Sequence, residues 1–294
     1  MNKTISIPPC RRLAPAVLLA LVAYQGALAR PLPETPILRI EAGVHGGDVT
    51  GLAADAGGQL LATSSYDKTL RLWRLADPVA PLRVIRPPID FDREGSLYTV
   101  ALSPDGSRAV TAGWTGSGNN GSGNRSWSLY VFDTASGEML ARVATLTGRL
   151  LSLVFSTDGK RLAIGQKDKP AVVLFDTENW SVVARDDDQR DDMPSVDIDK
   201  RGRVVAASLG GTISLYEAGL RNKRTIVAPG GKEPAIVRFS PDGATVAVGY
   251  SDSPRVDLLA ADDLHLIASA DTRGIDKGFI ADRKSTRLNS SHRL

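Results

Sequence analysis

A short turn pattern recurs five times along this chain, and such a repeat limits the available folds more than any other feature of the sequence. Three copies are nearly identical, reading Ser-Pro-Asp-Gly or Ser-Thr-Asp-Gly, and lie at 103–106, 156–159 and 240–243. Two weaker copies lie at 55–58 and 199–202. The final glycines of successive copies are 41 to 53 residues apart. A period of this length indicates a repeat architecture.

Each turn lies between segments in which apolar and polar residues alternate with a period of two, which predicts a β-hairpin. Pro suits the second position of such a turn, and Gly suits the last position, where φ is often positive. A third strand is predicted after each hairpin, at 70–73, 129–132, 172–175, 213–216 and 256–259. A fourth strand follows a polar turn, as at Met139 after 133–137. Four antiparallel strands repeated along a chain are typical of the blades of a β-propeller.

The first unit resembles the WD-repeat (WD40) family in particular positions. It contains His45-Gly46, Thr63 and Ser65 on one predicted strand, Asp67 in the next turn, and Trp73 at the end of the third strand. These residues are similar to the Gly-His and Trp-Asp framework of the family, although the order of His and Gly is reversed and Arg74 replaces the usual Asp. The resemblance implies a buried hydrogen-bonded chain of His45, Thr63, Asp67 and Trp73, with Ser65 as the substitute for Thr63.

Three aspartates, Asp67, Asp168 and Asp252, each lie nine residues after a turn glycine. A buried carboxylate is costly unless it is hydrogen-bonded, so a complete network would stiffen a blade. The later units depart from the framework. Phe132-Asp133 and Phe175-Asp176 keep an aromatic-acid pair, Tyr216-Glu217 approximates it, and Leu259-Ala260 lacks it. We therefore expect apolar packing to hold the later blades.

The predicted fold class is all-β, a WD40-type propeller with five blades and the start of a sixth from Gly274. In this family an early strand closes the ring as the outer strand of the last blade, and 37–40 would suit that position. Propellers have 4 to 8 blades. The expected propeller domain, 30–281, is therefore partial: we expect it to be truncated and its ring not to be closed.

The two ends are predicted not to belong to the propeller. Residues 1–29 combine early basic residues, an apolar run over 13–23 and an Ala-Leu-Ala site, which is typical of a secretory signal peptide. We expect an exported, periplasmic or extracellular protein. Residues 282–294 resemble a translated sequencing adaptor and are interpreted as a non-native tail, so that the natural chain would continue after Ala281.

Removing both ends changes the sign of the charge. The formal net charge of the whole chain is +3, whereas 30–281 contains 29 Lys and Arg against 32 Asp and Glu. A basic chain would suggest nucleic acid or an anionic membrane as partner. The acidic balance predicts neither partner after signal cleavage. The one cysteine, Cys10, lies in the predicted leader, so no disulfide is expected.

The predicted function is a non-enzymatic scaffold for a protein or peptide partner, monomeric in its intact form. Tyr66, Trp114, Lys167 and Ser251 each directly precede the ninth position after a turn glycine, which predicts that they share one rim. Exposed Tyr and Trp are favoured at binding hot spots. The alternative for these two aromatic residues is ordinary packing between blades. Bacterial exported WD-repeat proteins resemble this layout, and some carry a caspase-like peptidase domain beyond the propeller.

Enzymatic and ligand-binding alternatives find less support. A Ser-His-Asp triad needs an exposed nucleophile elbow, and Gly-x-Ser-x-Gly is absent. The glycine-rich stretch 116–121 precedes a strand rather than a helix, which argues against a dinucleotide site. The acidic run 186–192 lacks the spacing of a calcium loop and is interpreted as a solvated loop. A lactonase-like or dehydrogenase-like propeller remains the rival class. No catalytic, cofactor or metal residue is predicted.

Overall fold

The computed structural model describes residues 43–88, 95–114, 127–146, 148–167, 171–188, 192–270 and 272. These residues form twenty β-strands in five antiparallel sheets of four strands each, and no described residue is helical. Within every sheet the strands pair in chain order. The prediction of an all-β chain built from repeated four-stranded units is confirmed. The predicted leader, the strand at 37–40, the possible sixth unit and the tail lie outside the described residues.

Each sheet is one blade, numbered in chain order. Blade 1 contains β1 (Val49–Ala54), β2 (Leu60–Ser65), β3 (Leu70–Arg74) and β4 (Arg83–Ile85). Blade 2 contains β5 (Leu97–Leu102), β6 (Arg108–Gly113), β7 (Trp127–Asp133) and β8 (Met139–Leu146). Blade 3 contains β9 (Leu150–Phe155), β10 (Arg161–Gln166), β11 (Val172–Asp176) and β12 (Val182–Asp186).

The last two described blades also contain four strands each. Blade 4 contains β13 (Ser195–Ile198), β14 (Val204–Ser208), β15 (Thr212–Glu217) and β16 (Arg221–Val227). Blade 5 contains β17 (Pro234–Phe239), β18 (Thr245–Tyr250), β19 (Val256–Ala260) and β20 (Leu266–Ser269).

The recurring turn joins the first and second strands of each blade, as predicted. In blade 2 the Ser103 hydroxyl donates to Asp105 at 2.5 Å, and the backbone N–H of Gly106 donates to the Ser103 carbonyl at 2.9 Å. Gly106 has a φ of +71°, a conformation that side chains with a Cβ rarely adopt. Blades 3 and 5 repeat the Ser-to-Asp bond at 2.5 Å. The Ser, Asp and Gly of the pattern are therefore each required by the geometry of the turn.

Four apolar clusters fill the four interfaces between consecutive blades. One face of a blade packs on the next blade, and its other face packs on the preceding one. Between blades 1 and 2, for example, Ala62 and Leu72 pack with Val100 and Phe132, all buried. Blades 3 and 4 meet in the same way through Leu174 and other apolar side chains. Because blades 2, 3 and 4 each bury both faces, their strands are apolar on both sides.

The first strands of the blades lie innermost and contact one another in sequence, β1 with β5, β5 with β9, β9 with β13 and β13 with β17. Side chains bond these strand edges together. The hydroxyl of Ser152 accepts the N–H of Val196 at 3.2 Å, and that of Ser195 accepts the N–H of Val237 at 3.2 Å. These bonds satisfy edge donors that would otherwise be open to another chain.

The five blades form an unclosed ring. In the described strands, the substantial contacts between sheets join only consecutive blades. Leu52 of blade 1 is 67% exposed. Its counterparts in the other blades, judged by their cross-strand partners, are all buried and are Val100, Leu153, Val196 and Val237. The face of blade 1 that would pack on a preceding blade is therefore incompletely covered.

A buried arginine joins blades 4 and 5 at their turns. Arg203 donates from Nε to Asp199 Oδ2 at 2.9 Å. It also donates across the interface to the carbonyl oxygens of Ala261 and Gly243, at 2.8 and 2.6 Å. Arg108 makes a related bond from blade 2 to the Thr177 carbonyl of blade 3, at 2.9 Å. Successive blades are thus held by polar contacts as well as by apolar packing.

Candidate functional site

The structure brings His45, Thr63, Asp67 and Trp73 together in blade 1. Trp73 Nε1 donates to Thr63 Oγ1 at 2.9 Å, and Thr63 Oγ1 lies 2.6 Å from His45 Nε2. His45 Nδ1 lies 2.9 Å from Asp67 Oδ2. One order of donors satisfies every member, namely Trp73 to Thr63, Thr63 to Nε2, and Nδ1–H to the carboxylate. Ser65 does not replace Thr63, because its hydroxyl instead accepts the N–H of Asp67 at 3.0 Å.

Asp67 is the most heavily bonded member of this chain. Its carboxylate also accepts the N–H of Gly46 at 2.9 Å, the N–H of Thr69 at 2.9 Å and the Thr69 hydroxyl at 2.6 Å. Burial alone would raise the pKa of Asp67, but hydrogen bonds from His45, Thr69 and Gly46 outweigh it and hold that pKa well below its usual range. The carboxylate fastens the loop before β1 to the turn after β2.

Asp252 of blade 5 occupies a position equivalent to that of Asp67 and fastens the corresponding loop. Its two oxygens accept the N–H groups of Lys232 and Glu233, at 2.8 and 3.1 Å. No histidine is involved. The third aspartate at this offset, Asp168, lies outside the described residues. Asp67 and Asp252 thus each accept backbone N–H groups from the loop that precedes the first strand of their blade.

Blade 5 contains a buried polar network that the sequence analysis missed. The Tyr250 hydroxyl donates to Asp257 Oδ2 at 2.8 Å and accepts the Gly230 N–H at 3.0 Å. Ser269 donates to the other Asp257 oxygen at 2.6 Å, and the side chain of Asp257 is fully buried. Burial first, and then the bond to Asp257, raises the pKa of Tyr250 above its usual range. Apolar side chains pack this blade on blade 4 as expected, and the Tyr250–Asp257 network adds buried polar contacts that were not predicted.

Replacing Tyr250 with phenylalanine is expected to lower the free energy of unfolding by about 1–3 kcal/mol, because a buried carboxylate loses a donor and the Gly230 N–H loses its acceptor. Urea unfolding followed by circular dichroism measures this loss. Tyr66→Phe is the matched control, since the Tyr66 side chain is half exposed, and it should change the same quantity by under about 0.5 kcal/mol. Equal effects of the two substitutions would contradict the assignment.

A second unpredicted network links blades 3 and 4. Asp186, the first residue of the acidic run, is buried and accepts the Tyr216 hydroxyl at 2.7 Å and Lys223 Nζ at 2.7 Å. Burial would raise the pKa of Asp186, but these two bonds lower it overall. The interpretation of 186–192 as a solvated loop is therefore wrong at its first residue. Asp187 and Asp188 are exposed, and 189–191 lie outside the described residues.

The four predicted rim residues occupy one equivalent position in their blades. Each follows the second strand directly and donates its backbone N–H to the residue just before the first strand. The acceptors for Tyr66, Trp114, Lys167 and Ser251 are the carbonyls of Asp48, Ser96, Arg149 and Glu233, at distances of 2.7 to 3.1 Å. Leu209 of blade 4 makes a similar bond to Asp192, three residues before β13, at 3.0 Å. Leu209 lies seven residues, rather than eight, after its turn glycine, so the common offset did not predict it.

The side chains at these positions differ in exposure and partners. Tyr66 is 48% exposed, whereas Trp114 is half buried and packs against the apolar cluster between blades 2 and 3. Lys167 Nζ lies 3.4 Å from Asp192 Oδ2, and the Ser251 hydroxyl donates to Glu233 Oε2 at 2.8 Å. Tyr66, Trp114 and Leu209 combine apolar surface with at least partial exposure, and Leu209 is 40% exposed.

An aromatic rim cluster, consisting of Tyr66, Tyr98, Trp114 and Trp127, crosses blades 1 and 2. The rings of Tyr66 and Tyr98 meet edge to face at 5.7 Å between centroids, and those of Trp114 and Trp127 do so at 5.4 Å. Tyr98 and Trp127 lie 6.4 Å apart, and the guanidinium of Arg149 lies 5.0 Å from the centre of the Tyr98 ring. Such contacts fix the rings in place, so Tyr66 is presented on a rigid base.

The described part of the chain contains neither a cluster of metal-ligating side chains nor a membrane-spanning helix. No group of three or more His, Cys, Asp or Glu side chains there is arranged to hold a metal ion. Nor do the described residues include a helix long and apolar enough to cross a membrane. The glycine-rich stretch 116–121 lies outside them.

Comparison with known families agrees with this geometry. The family model for the WD domain, G-beta repeat (WD40), matches residues 39–74, the stretch that contains the hydrogen-bonded chain of blade 1. No curated protein matches the chain. Together with the five four-stranded antiparallel sheets, the match defines a WD40-type β-propeller whose ring is not closed. Propellers of this type are in general scaffolds for protein–protein interaction and are typically not enzymes.

Proposed function

We propose that this chain is an exported, non-enzymatic docking domain, part of a longer protein, whose aromatic rim cluster binds a protein or peptide partner. The observation that carries the proposal is the placement of Tyr66, which is half exposed and braced by Tyr98, at one end of the ring. Aromatic side chains held in this way supply large contact area at low entropic cost. The apolar run and Ala-Leu-Ala site of the first 29 residues support export.

Trp114 and Trp127 serve this surface differently from Tyr66. Both pack on the cluster between blades 2 and 3, and Trp127 is buried. The two tryptophans stabilise the rim, and Tyr66 contacts the partner. Removing Trp114 should therefore lower stability as well as binding, whereas removing Tyr66 should lower binding alone.

Replacing Tyr66 with alanine is expected to weaken partner binding about tenfold or more, because a hot-spot side chain contributes over about 1.4 kcal/mol. The chain is immobilised and exposed to the exported-protein fraction of its source cells, and a captured protein is then purified and titrated by calorimetry. Ile267→Ala is the matched control, since Ile267 is 51% exposed but lies on the outer strand β20.

The two variants should have the same melting temperature as the unmodified chain. Loss of binding in Tyr66→Ala with retention in Ile267→Ala supports the rim as the docking surface. Retention of full affinity in Tyr66→Ala would refute it.

A further inference from the structure

Gln166, the last residue of β10, has a completely buried side chain whose polar atoms have no hydrogen-bond partner. A carboxamide carries an acceptor oxygen and two donor hydrogens, and here both Oε1 and Nε2 are unpaired. Burying such groups without partners lowers the stability of a protein, so native structures rarely do so. The unpaired amide of Gln166 therefore calls for a functional explanation.

The residues that end the second strand in the other blades leave no polar side-chain atom unpaired. Two of them are serines, whose hydroxyls each accept a backbone N–H from the following turn at 3.0 Å. A third is a tyrosine whose hydroxyl both donates and accepts a hydrogen bond, and the fourth is a glycine. These residues are Ser65, Ser208, Tyr250 and Gly113. The fold therefore does not impose an unpaired group at this position of a blade.

Gln166 faces the interface between blades 2 and 3, at the end of the ring that carries the rim. Successive side chains of a strand point to opposite faces of its sheet. Ile164, two residues earlier, packs in the apolar cluster of this interface, whereas a Cβ at Gly165 would meet blade 4. The amide of Gln166 therefore shares the face of Ile164. Trp114 and Trp127 of the aromatic rim cluster pack on the same apolar cluster.

Only a short piece of rim backbone packs over the amide. Lys167, the next residue, is exposed and donates its N–H to the Arg149 carbonyl at 2.8 Å. A Cβ at Gly148 would lie 3.3 Å from Cδ of Gln166 and would clash with the Lys167 carbonyl oxygen, so Gly148 packs closely against both residues. The guanidinium of Arg149 lies against the ring of Tyr98 in the aromatic rim cluster. Gln166 thus adjoins the surface on which the partner is proposed to bind.

We propose that Gln166 is a binding residue of this rim and pairs with one backbone peptide unit of an extended partner peptide. This inference rests on the proposed function of the aromatic rim cluster. A peptide unit presents one N–H and one C=O, which match the oxygen and the NH2 group of a carboxamide. A partner that displaces the backbone at 148–149 reaches both atoms, and pairing them recovers the cost of their burial. The aromatic rings supply apolar contact, and Gln166 recognises main chain whatever side chains the partner carries.

Gln166→Met in the full chain is the first test, because methionine has nearly the same length and volume without the polar atoms. The urea midpoint of unfolding should rise by about 0.3–1 M, since an apolar group replaces an unpaired polar one. Gln59→Met, at an exposed site, is the matched control and should leave the midpoint unchanged. An unchanged or lowered midpoint in Gln166→Met would show that the amide is already paired in the free protein, and would overturn the proposal.

The second test measures binding of N-acetyl-alanyl-alanine N-methylamide, an uncharged probe with three peptide units. Its matched probe is methylated at every amide nitrogen and so has no N–H. Magnetic resonance of the isotope-labelled chain should show a saturable shift of the Lys167 backbone amide. Gln166→Met and the methylated probe should each weaken binding at least fivefold, whereas Gln59→Met should change it less than twofold. The absence of a saturable shift, or equal affinity in Gln166→Met and the unmodified chain, would also refute the assignment.

The role of Gln166 and the docking role of the rim can fail separately. A protein captured through Tyr66 whose affinity is the same in Gln166→Met would refute the role of Gln166 and leave the rim as the docking surface. Full affinity for a captured protein in Tyr66→Ala, together with weaker binding of the uncharged probe in Gln166→Met, would refute the docking role of the rim and leave the peptide site at Gln166.

Discussion

Replacing Arg203 with methionine is expected to lower the free energy of unfolding by about 3–5 kcal/mol, the usual cost of removing one partner of a buried ion pair. The substitution leaves the buried Asp199 carboxylate without its cationic partner and removes the donors to the carbonyls of Ala261 and Gly243. Methionine keeps most of the apolar stem, so the lost charge and hydrogen bonds dominate. Urea unfolding at neutral pH measures the effect.

Arg161→Met is the matched control for this substitution. Arg161 begins the second strand of blade 3, as Arg203 precedes that of blade 4, but it is 39% exposed and pairs with Asp176 of its own blade. Its loss should cost under about 1 kcal/mol. Adding Asp199→Asn to Arg203→Met should recover part of the lost stability, because the stranded charge is gone. A cost for Arg203→Met no larger than that for Arg161→Met would contradict the role of Arg203 in joining blades 4 and 5.

Replacing Asp67 with alanine is expected to lower the free energy of unfolding by about 2–4 kcal/mol, because several donors lose their acceptor at once. The His45 ring, the Thr69 hydroxyl and the Gly46 N–H are those most affected. Since no blade lies before blade 1 in the described ring, this network is the main polar support of its loop. Chemical denaturation with tryptophan fluorescence is a suitable measurement, because Trp73 belongs to the network.

The effect of Asp67 should depend on pH in a defined direction. Its folded-state pKa is lowered, so the folded protein binds fewer protons at this site than the unfolded chain does. Its contribution is complete above the ordinary aspartate pKa of about 3.9 and is lost as pH falls below that value. The difference in free energy of unfolding between Asp67→Ala and the unmodified chain should therefore become smaller in acid. Asp188→Ala, at an exposed site, is the control and should show no such difference; a difference for Asp67→Ala that widened in acid would contradict the assignment.

Local chemistry explains why the repeated turns and strands could be predicted. The Ser-x-Asp-Gly turns depend on bonds within four or five residues, such as Ser103 to Asp105 and Gly106 to Ser103. The alternating flanks have a period that belongs to a strand wherever it lies. The number of four-stranded units follows directly from these local signals. The offset of nine residues from the turn glycine likewise predicted that Asp67 and Asp252 occupy equivalent loops. This offset is local, because it spans only the second strand of each blade.

Contacts between blades could not be predicted in the same way. Arg203 reaches carbonyls about forty and sixty residues away in the sequence, and nothing in its neighbourhood marks it as buried. The Tyr250–Asp257 pair was missed because its two residues lie on neighbouring strands and match no recurring motif. The half-buried state of Trp114 could not be predicted locally either. It depends on contact with Trp127, which lies thirteen residues later in the sequence. Tertiary register, rather than local pattern, decides these cases.

The central claim is that separate four-stranded sheets, with their first strands innermost, build this chain. Nuclear Overhauser effects between backbone protons of the deuterated protein test it most directly. We expect cross-strand effects between Val196 and Ala206 and between Ile198 and Val204, all within blade 4. No ladder of effects should pair β12 with β13. Continuous pairing of those two strands, as in a single sandwich or barrel, would contradict it.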